Sequence, residues 1–155
     1  MTAFGAEPEL LTGIDLIEER VKQAKLAFPT LRFEVGNADQ LPFPDGAFDL
    51  LMAFTLFSSI LDEGMTSRVA SEMSRTLKAG GAILWYDLRF RSPNQAVRPI
   101  SPATLARLFP DRQATLVTLT VLPPIARRLW RLTPILYPML AGLEALRSHY
   151  LGILR

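Results

Sequence analysis

No cysteine occurs in the 155 residues, which excludes disulfides and thiolate metal sites and leaves the redox compartment unmarked. Histidine is almost as scarce. His149 stands alone, so no multi-histidine metal centre is written here, nor does any motif around it spell a Ser-His-Asp hydrolase. No metal site is expected. A membrane-spanning segment is also missing: the uncharged stretch 133–143 is too short for a bilayer and is interrupted by Pro134 and Pro138, where a span needs roughly 20 apolar residues. Residues 1–9 lack the basic start and apolar centre of a secretory signal, so a cytoplasmic protein is expected. Lysine disappears after Lys78. Residues 89–155 carry 10 arginines against Asp111 and Glu144, whereas residues 1–88 carry 7 Lys/Arg against 13 Asp/Glu. Such a split marks either a basic face for an anionic partner or two complementary surfaces of one fold. Nucleic acid is not expected, because the arginines are dispersed and no recognition motif accompanies them.

Apolar residues are plentiful, at 49% of the chain. That suffices for the core of one domain of this length. Residues 10–14 form an extended apolar run that ends in Asp15. Residues 18–28 place Val21, Ala24, the stem of Lys25 and Phe28 on one helical stripe, and Pro29 closes the helix. Leu31, Phe33 and Val35 then alternate with Arg32 and Glu34, as in a half-buried strand near a sheet edge. A strand, helix, strand unit of this length is a parallel crossover that brings both strand ends to one rim. At that rim stand Asp15 and, after Gly36-Asn37-Ala38, Asp39.

Leu41-Pro42-Phe43-Pro44-Asp45-Gly46 reads as a turn-rich loop. The run AFDLLMAF, residues 47–54, predicts a strand covered on both faces. Met65, Val69, Met73 and Leu77 recur every four residues and predict a helix ended by Gly80-Gly81, before a buried strand at 82–88. Ser101-Pro102 opens a helix to Phe109, and residues 114–122 read as a strand. One or two helices are expected within 123–146 and a last strand at 148–154.

The ordered set Gly13-Ile14-Asp15, Gly36-Asn37-Ala38-Asp39, Leu41-Pro42-Phe43-Pro44-Asp45, Phe48-Asp49, Glu72, Arg75 and Leu77-Lys78-Ala79-Gly80-Gly81 resembles the class I S-adenosylmethionine-dependent methyltransferases, in their small-molecule, type 11-like branch. The resemblance covers roughly residues 5–90. It implies an α/β, Rossmann-like fold: a mostly parallel sheet flanked by helices, with an antiparallel C-terminal strand pair. It also implies S-adenosyl-L-methionine as cofactor. Asp15 is then similar to the acid that holds the ribose hydroxyls, and Ala38 with Asp39 to the pair that meets the adenine. Phe54 and Thr55 are similar to the segment under the methionine part. Tyr86, Asp87 and Arg89, at the end of the next strand, take the substrate side.

One departure stands out. Family members carry a first strand and a Gly-rich loop upstream of the strand ending in Asp15, and the residues before it hold too few positions and too few glycines for them. The expectation is a single methyltransferase domain over residues 1–155 that is N-terminally truncated, with a basic part at 91–155 supplying cover helices. Two buried strand edges then face a gap, which the chain must close or fill with a borrowed strand; oligomerisation through those edges is one route. The functional expectation is methyl transfer to a small-molecule or lipid-like acceptor, with weak membrane-surface contact through Arg127-Arg128-Leu129-Trp130-Arg131. The competing one is a non-catalytic scaffold or subunit completed by a partner strand.

Overall fold

The computed structural model describes residues 5–121, 142–143 and 146–155. After a single 3-10 turn at Pro8–Leu10 the chain enters β1 (Thr12–Asp15), crosses through α1 (Glu18–Ala27) and returns as β2 (Arg32–Val35), parallel to β1 with Thr12 beside Arg32 and Asp15 beside Val35. The turn into α1 is local chemistry. Asp15 Oδ1 accepts the Ile17 N–H at 2.8 Å, an Asx turn that bends the backbone toward the helix. Of the stripe expected on α1 only Val21 is buried, and Phe28 is 57% exposed. Two strands offer α1 too little surface to cover more.

The second crossover is larger. β3 (Phe48–Phe54) leads through the short α2 (Leu56–Ser59) into α3 (Glu63–Thr76), and then into β4 (Leu77–Leu88), parallel to β3. Asp62 caps α3 by accepting the Met65 N–H. Thr66, Val69, Ala70, Met73 and Thr76 are its buried residues, at the spacing of one helical face. The helix end lies within a residue of the expected Leu77, but Gly80-Gly81 is not what ends it. The helix stops at Thr76, and Leu77 already pairs with Phe48 as the first residue of β4. The glycines serve the strand instead: its register slips between Phe48 and Leu50, and Gly80 takes φ 79° there, a conformation that side-chain-bearing residues resist.

Ser101 caps α4 (Pro102–Leu108) by accepting the Thr104 N–H. β5 (Ala114–Val121) and β6 (Arg147–Leu154) complete a four-stranded sheet in the order β3-β4-β6-β5, with β6 antiparallel to both neighbours. The fold is therefore α/β with parallel crossovers and an antiparallel C-terminal pair. β1 and β2, however, form a separate two-stranded sheet. The helices expected within 123–146 and the Arg127–Arg131 cluster lie outside the described residues.

Strand alternation sorts the larger sheet into two faces. Ala53, Ile83, Trp85, Asp87 and Leu154 are buried on one face, and the core joins them to Phe57, Val69, Met73, Leu105 and Phe109 of α2, α3, α4 and the following residue. The other face carries Leu50, Met52 and Phe54, which are 39%, 46% and 52% exposed, with Val117, Leu119 and Ile153 exposed further along. The expectation that β3 is covered on both faces thus fails. An apolar run signals burial without saying which face finds a cover.

Candidate functional site

The rim at which β3 and β4 end is shared by β1 and β2, and the loop between β2 and β3 shows why. Asp39 meets Arg68 on the second turn of α3, the Leu41 N–H donates to Glu72, and Asp45 and the Gly46 N–H reach Arg75 near the helix end. Residues 39–46 therefore descend along α3 in its own direction. Since α3 connects two parallel strands it runs opposite to them, so the loop leaves β2 at the rim where β3 ends. Asp15, Ala38, Asp39, Phe54, Thr55 and Tyr86 all belong to that rim.

Arg75 holds the descent together. Its guanidinium donates to both Glu72 oxygens at 2.7 Å, to Asp45 and the Phe43 carbonyl at 2.8 Å, and to the Leu41 carbonyl at 3.1 Å. Hydrogen bonding to Arg75 also holds the Glu72 carboxyl below its ordinary pKa, against a partial desolvation. The sequence flags both residues only as parts of a pattern; the structure makes them the clamp that places Asp39. Arg75→Met should leave the fold standing but loosen residues 39–46, read as faster amide exchange at Leu41 and Gly46. Unchanged exchange there would mean the loop is held otherwise.

At the rim itself Asp15 has Oδ1 on the Ile17 N–H and Oδ2 3.7 Å from Arg20, with the side chain 38% exposed. Asp39 is more enclosed. Its N–H donates to Asn37 Oδ1, Arg68 approaches Oδ2 at 3.4 Å, and Ala38 beside it packs against the core. Thr55 takes φ 52°, a genuine strain for a β-branched residue, costing about 1–3 kcal/mol. The strain is held from two sides: the Thr55 N–H donates to the Tyr86 carbonyl at 2.7 Å, and α2 begins directly after it. Strain of this kind, at a strand end lined by carboxylates, marks a place where backbone position matters.

Across β4, Phe54 meets Tyr86 edge-on at 6.2 Å, and Tyr86 stacks on His149 at 4.7 Å with the rings 7° from parallel. Phe54, Tyr86 and His149 make one aromatic band along the open face. His149 is half-buried, its Nδ1 lies 2.8 Å from Ser148 Oγ, and burial holds its pKa below the ordinary value while nearby Asp87 pulls the other way. Its place beside Tyr86 follows from the antiparallel pairing of Leu88 with His149, which no local pattern announces. Arg89 lays its guanidinium over the rings of Phe90 and Tyr150, 4.7 and 5.6 Å from their centroids.

Asp87 points the other way. It is wholly buried on the helix-covered face, where its carboxylate accepts the Ser58 N–H at 3.2 Å and the Leu88 N–H at 3.0 Å. Of the three residues expected on the substrate side, the structure brings Tyr86 to the open face and ties Asp87 to α2. A shallow hollow lined by Ser74, Phe109, Arg112 and Arg155 lies near the beginnings of the strands, away from this chemistry. Among the described residues no group of three metal-ligating side chains occurs, and no helix is long and apolar enough to cross a membrane.

Three comparisons bear on what this rim is. The chain spans less than a third of the length of the curated relatives it matches. It is 34% identical over 84 residues to a phthiotriol/phenolphthiotriol dimycocerosates methyltransferase of Mycobacterium ulcerans, covering 53% of this chain and 30% of that one. It is 35% identical over 80 residues to the ubiquinone/menaquinone biosynthesis C-methyltransferase UbiE of Rickettsia massiliae, 48% of this chain and 31% of that one. To the 2-methyl-6-phytyl-1,4-hydroquinone methyltransferase of Synechocystis it is 32% identical over 88 residues, 55% of this chain and 27% of that one. Among solved structures, a methyltransferase from Methanosarcina mazei superposes with TM-score 0.66 over 92% of this chain and 80% of its own, at 17% identity. The [4+2]-cyclase SpnF superposes at 0.64 over 93% of this chain and 64% of its own, at 19% identity, a reminder that this fold alone does not name a reaction. The model of the methyltransferase domain family matches residues 2–85, more than half of the chain, and the chain belongs to that family.

Proposed function

We propose that this chain carries the nucleoside-gripping and acceptor-facing parts of an S-adenosylmethionine-dependent methyltransferase whose acceptor is a small or lipid-like molecule. The observation that carries the reading is the convergence of Asp15 and Asp39 on one rim of parallel strands, beside the strained Thr55. Open α/β sheets bind ligands outside the carboxyl ends of their strands. The residues present fit the nucleoside end of the cofactor: two carboxylates offer acceptors to a ribose diol and to a purine amino group, and Asp39 Oδ1 has no hydrogen-bond partner among the described residues. They supply less for the other end, because residues 16–47 contain only Gly36 and Gly46 and no Gly-rich turn to cradle a carboxylate.

When bound, the cofactor supplies a methyl group on a sulfonium, an electrophile that needs alignment more than activation. In this reading Asp15 orients the ribose, and Ala38 and Asp39 the adenine. Phe54 and Thr55 form the floor beneath the methionine part, while the band of Phe54, Tyr86 and His149 gives the acceptor a flat apolar seat; Arg89, laid over Tyr150 on the face of Trp85 and Asp87, stands apart from it. Lipid-soluble acceptors suit such a seat, as do the phytyl hydroquinone and dimycocerosate named for two relatives. Asp87 acts through Ser58 and the start of α2 rather than on substrate.

Calorimetric titration with S-adenosylhomocysteine tests the nucleoside grip. Asp15→Ala and Asp39→Ala should each weaken binding by at least about 1 kcal/mol, roughly fivefold. Equal affinity in both variants would remove the two carboxylates from the site, and an absence of heat with the unaltered chain would show that it does not bind alone. A second reading, a subunit that binds cofactor only when completed by another segment, is favoured by the division of the strands into two sheets.

A further inference from the structure

We infer that Arg68 is a positioning residue of the nucleoside site: its guanidinium holds Oδ2 of Asp39, so that Oδ1 is presented in a fixed direction to the exocyclic amino group of a purine. The inference rests on the reading of Asp39 as an adenine acceptor. The backbone here is placed without Arg68. Arg75 binds Leu41, Phe43 and Asp45, and Asn37 Oδ1 accepts the Asp39 N–H at 3.3 Å. What those contacts leave free is the turn of the carboxylate about its Cβ–Cγ bond, a broad two-fold torsion. Arg68 removes that freedom. Its Nε and Nη2 both donate to Oδ2, each at 3.4 Å, and Oδ1 has no hydrogen-bond partner among the described residues.

The pair is built unlike an incidental surface contact. It joins residues 29 apart in sequence, with the Asp39 side chain 18% exposed and that of Arg68 59%: an enclosed acceptor met by a cation reaching in from the water. Among the described residues the Arg68 side chain has no other hydrogen-bond or ion-pair partner. The helix leaves it a lane. Side chains on a helix lean toward its N-terminus, and one turn before Arg68 stands Gly64, where a Cβ would fall 3.4 Å from Arg68 Nη1. Ion pairs with an exposed partner add little to stability. The consequence of this one is therefore the direction of Asp39, and an acceptor already set in place loses less freedom when a ligand binds.

The experiment is calorimetric titration with S-adenosylhomocysteine and with S-inosylhomocysteine, which carries a carbonyl where adenine carries its amino group. The unaltered chain should prefer the amino form by about tenfold. Arg68→Met should cut that preference to about threefold, with the urea midpoint unchanged. Arg68→Lys, which keeps the charge but lacks the planar fork, should fall between the two. In an Asp39→Ala background the Arg68 substitution should change nothing, because it acts through the carboxylate. An undiminished preference in Arg68→Met overturns the inference. Tighter binding of S-adenosylhomocysteine by that variant does the same, since Arg68 would then be a competitor for Asp39. A loss that persists without Asp39 also overturns it, by putting Arg68 on the ligand itself. All three leave the nucleoside reading standing where Asp39→Ala still weakens binding. A chain that binds neither compound, or whose affinity ignores Asp39→Ala, removes that reading and the inference with it.

Discussion

Trp85→Ala should lower the unfolding free energy by about 3–5 kcal/mol, measured by urea denaturation. A domain of this size holds only about 5–15 kcal/mol in all, so the loss takes a large fraction of the total. Trp85 is fully buried at the centre of β4, stacked on Tyr150 at 6.2 Å, between the strands and α3. Its partner on β6 is Gly152, and the ring occupies the space a side chain there would need: a Cβ on Gly152 would fall 3.1 Å from Trp85 Cε3 and 2.6 Å from Leu116 Cδ2. No neighbouring chain can close over the void, because one flank is a sheet and the other a helix pinned by its own core. The indole Nε1 has no hydrogen-bond partner among the described residues, so the loss is one of packing alone, and Trp85→Phe should recover more than half of it. A loss under about 1 kcal/mol for the alanine variant would mean that the core lies elsewhere. Gly152→Ala is the reciprocal insertion and should cost about 1–3 kcal/mol by overpacking, less in the Trp85→Phe background, since the two residues share one space.

How much of this was legible in the residues depends on which physical signal each element sends. The first crossover and α3 were readable, because an apolar stripe with caps and a strand ending in a carboxylate are local patterns. The cap at Ser101 and the strands at 114–121 and 147–154 are of the same kind. What the pattern misplaced was the role of Gly80-Gly81. A glycine pair after a helical repeat signals a helix end, yet Leu77 is claimed by Phe48 across the sheet, and a pairing thirty residues away outweighs the local stop. Coverage was the second failure. Phe48–Phe54 and the stripe on α1 are apolar enough to be buried, but burial needs a second surface, and Leu50, Met52, Phe54 and Phe28 remain exposed. At the rim, Asp15 and Asp39 were legible from spacing. The aromatic band was not, because His149 reaches Tyr86 only through the register of an antiparallel strand that joins residues far apart in sequence. Nor was the turning of Asp87 away from the open face beside Tyr86, although strict alternation along β4 demanded that neighbours point to opposite sides.

Asp87 is where fold and function are coupled, and its substitution should divide by shape. Asp87→Leu leaves the N–H groups of Ser58 and Leu88 without an acceptor in a dry interior, a loss of about 2–5 kcal/mol for two orphaned donors. Asp87→Asn keeps an oxygen for them and should stay within about 1 kcal/mol of the parent at neutral pH. The two also differ with pH. Burial pushes the Asp87 carboxyl above its ordinary value of 3.8, with the N–H donors pulling it partly back. Above pH 3.8 the unfolded chain has therefore lost a proton that the folded chain still holds, and stability falls as pH rises through the folded value. His149 works in the opposite sense. Burial lowers its pKa from 6.5, so below pH 6.5 the unfolded chain takes up a proton the folded chain refuses, and stability falls as pH drops. Asp87→Asn should abolish the first decline and deepen the second, because the charge that partly offsets the burial of His149 is gone, while His149→Phe should abolish the second and keep the first; denaturation midpoints at several pH values read both. The same variants separate positioning from contact. If Asp87 serves only to hold Ser58, α2 and the strained Thr55, then Asp87→Asn will bind S-adenosylhomocysteine as the parent does. Asp87→Leu will weaken that binding in conditions where it is still folded. A loss of affinity in the asparagine variant, with its stability intact, would instead make the carboxylate charge itself part of the site.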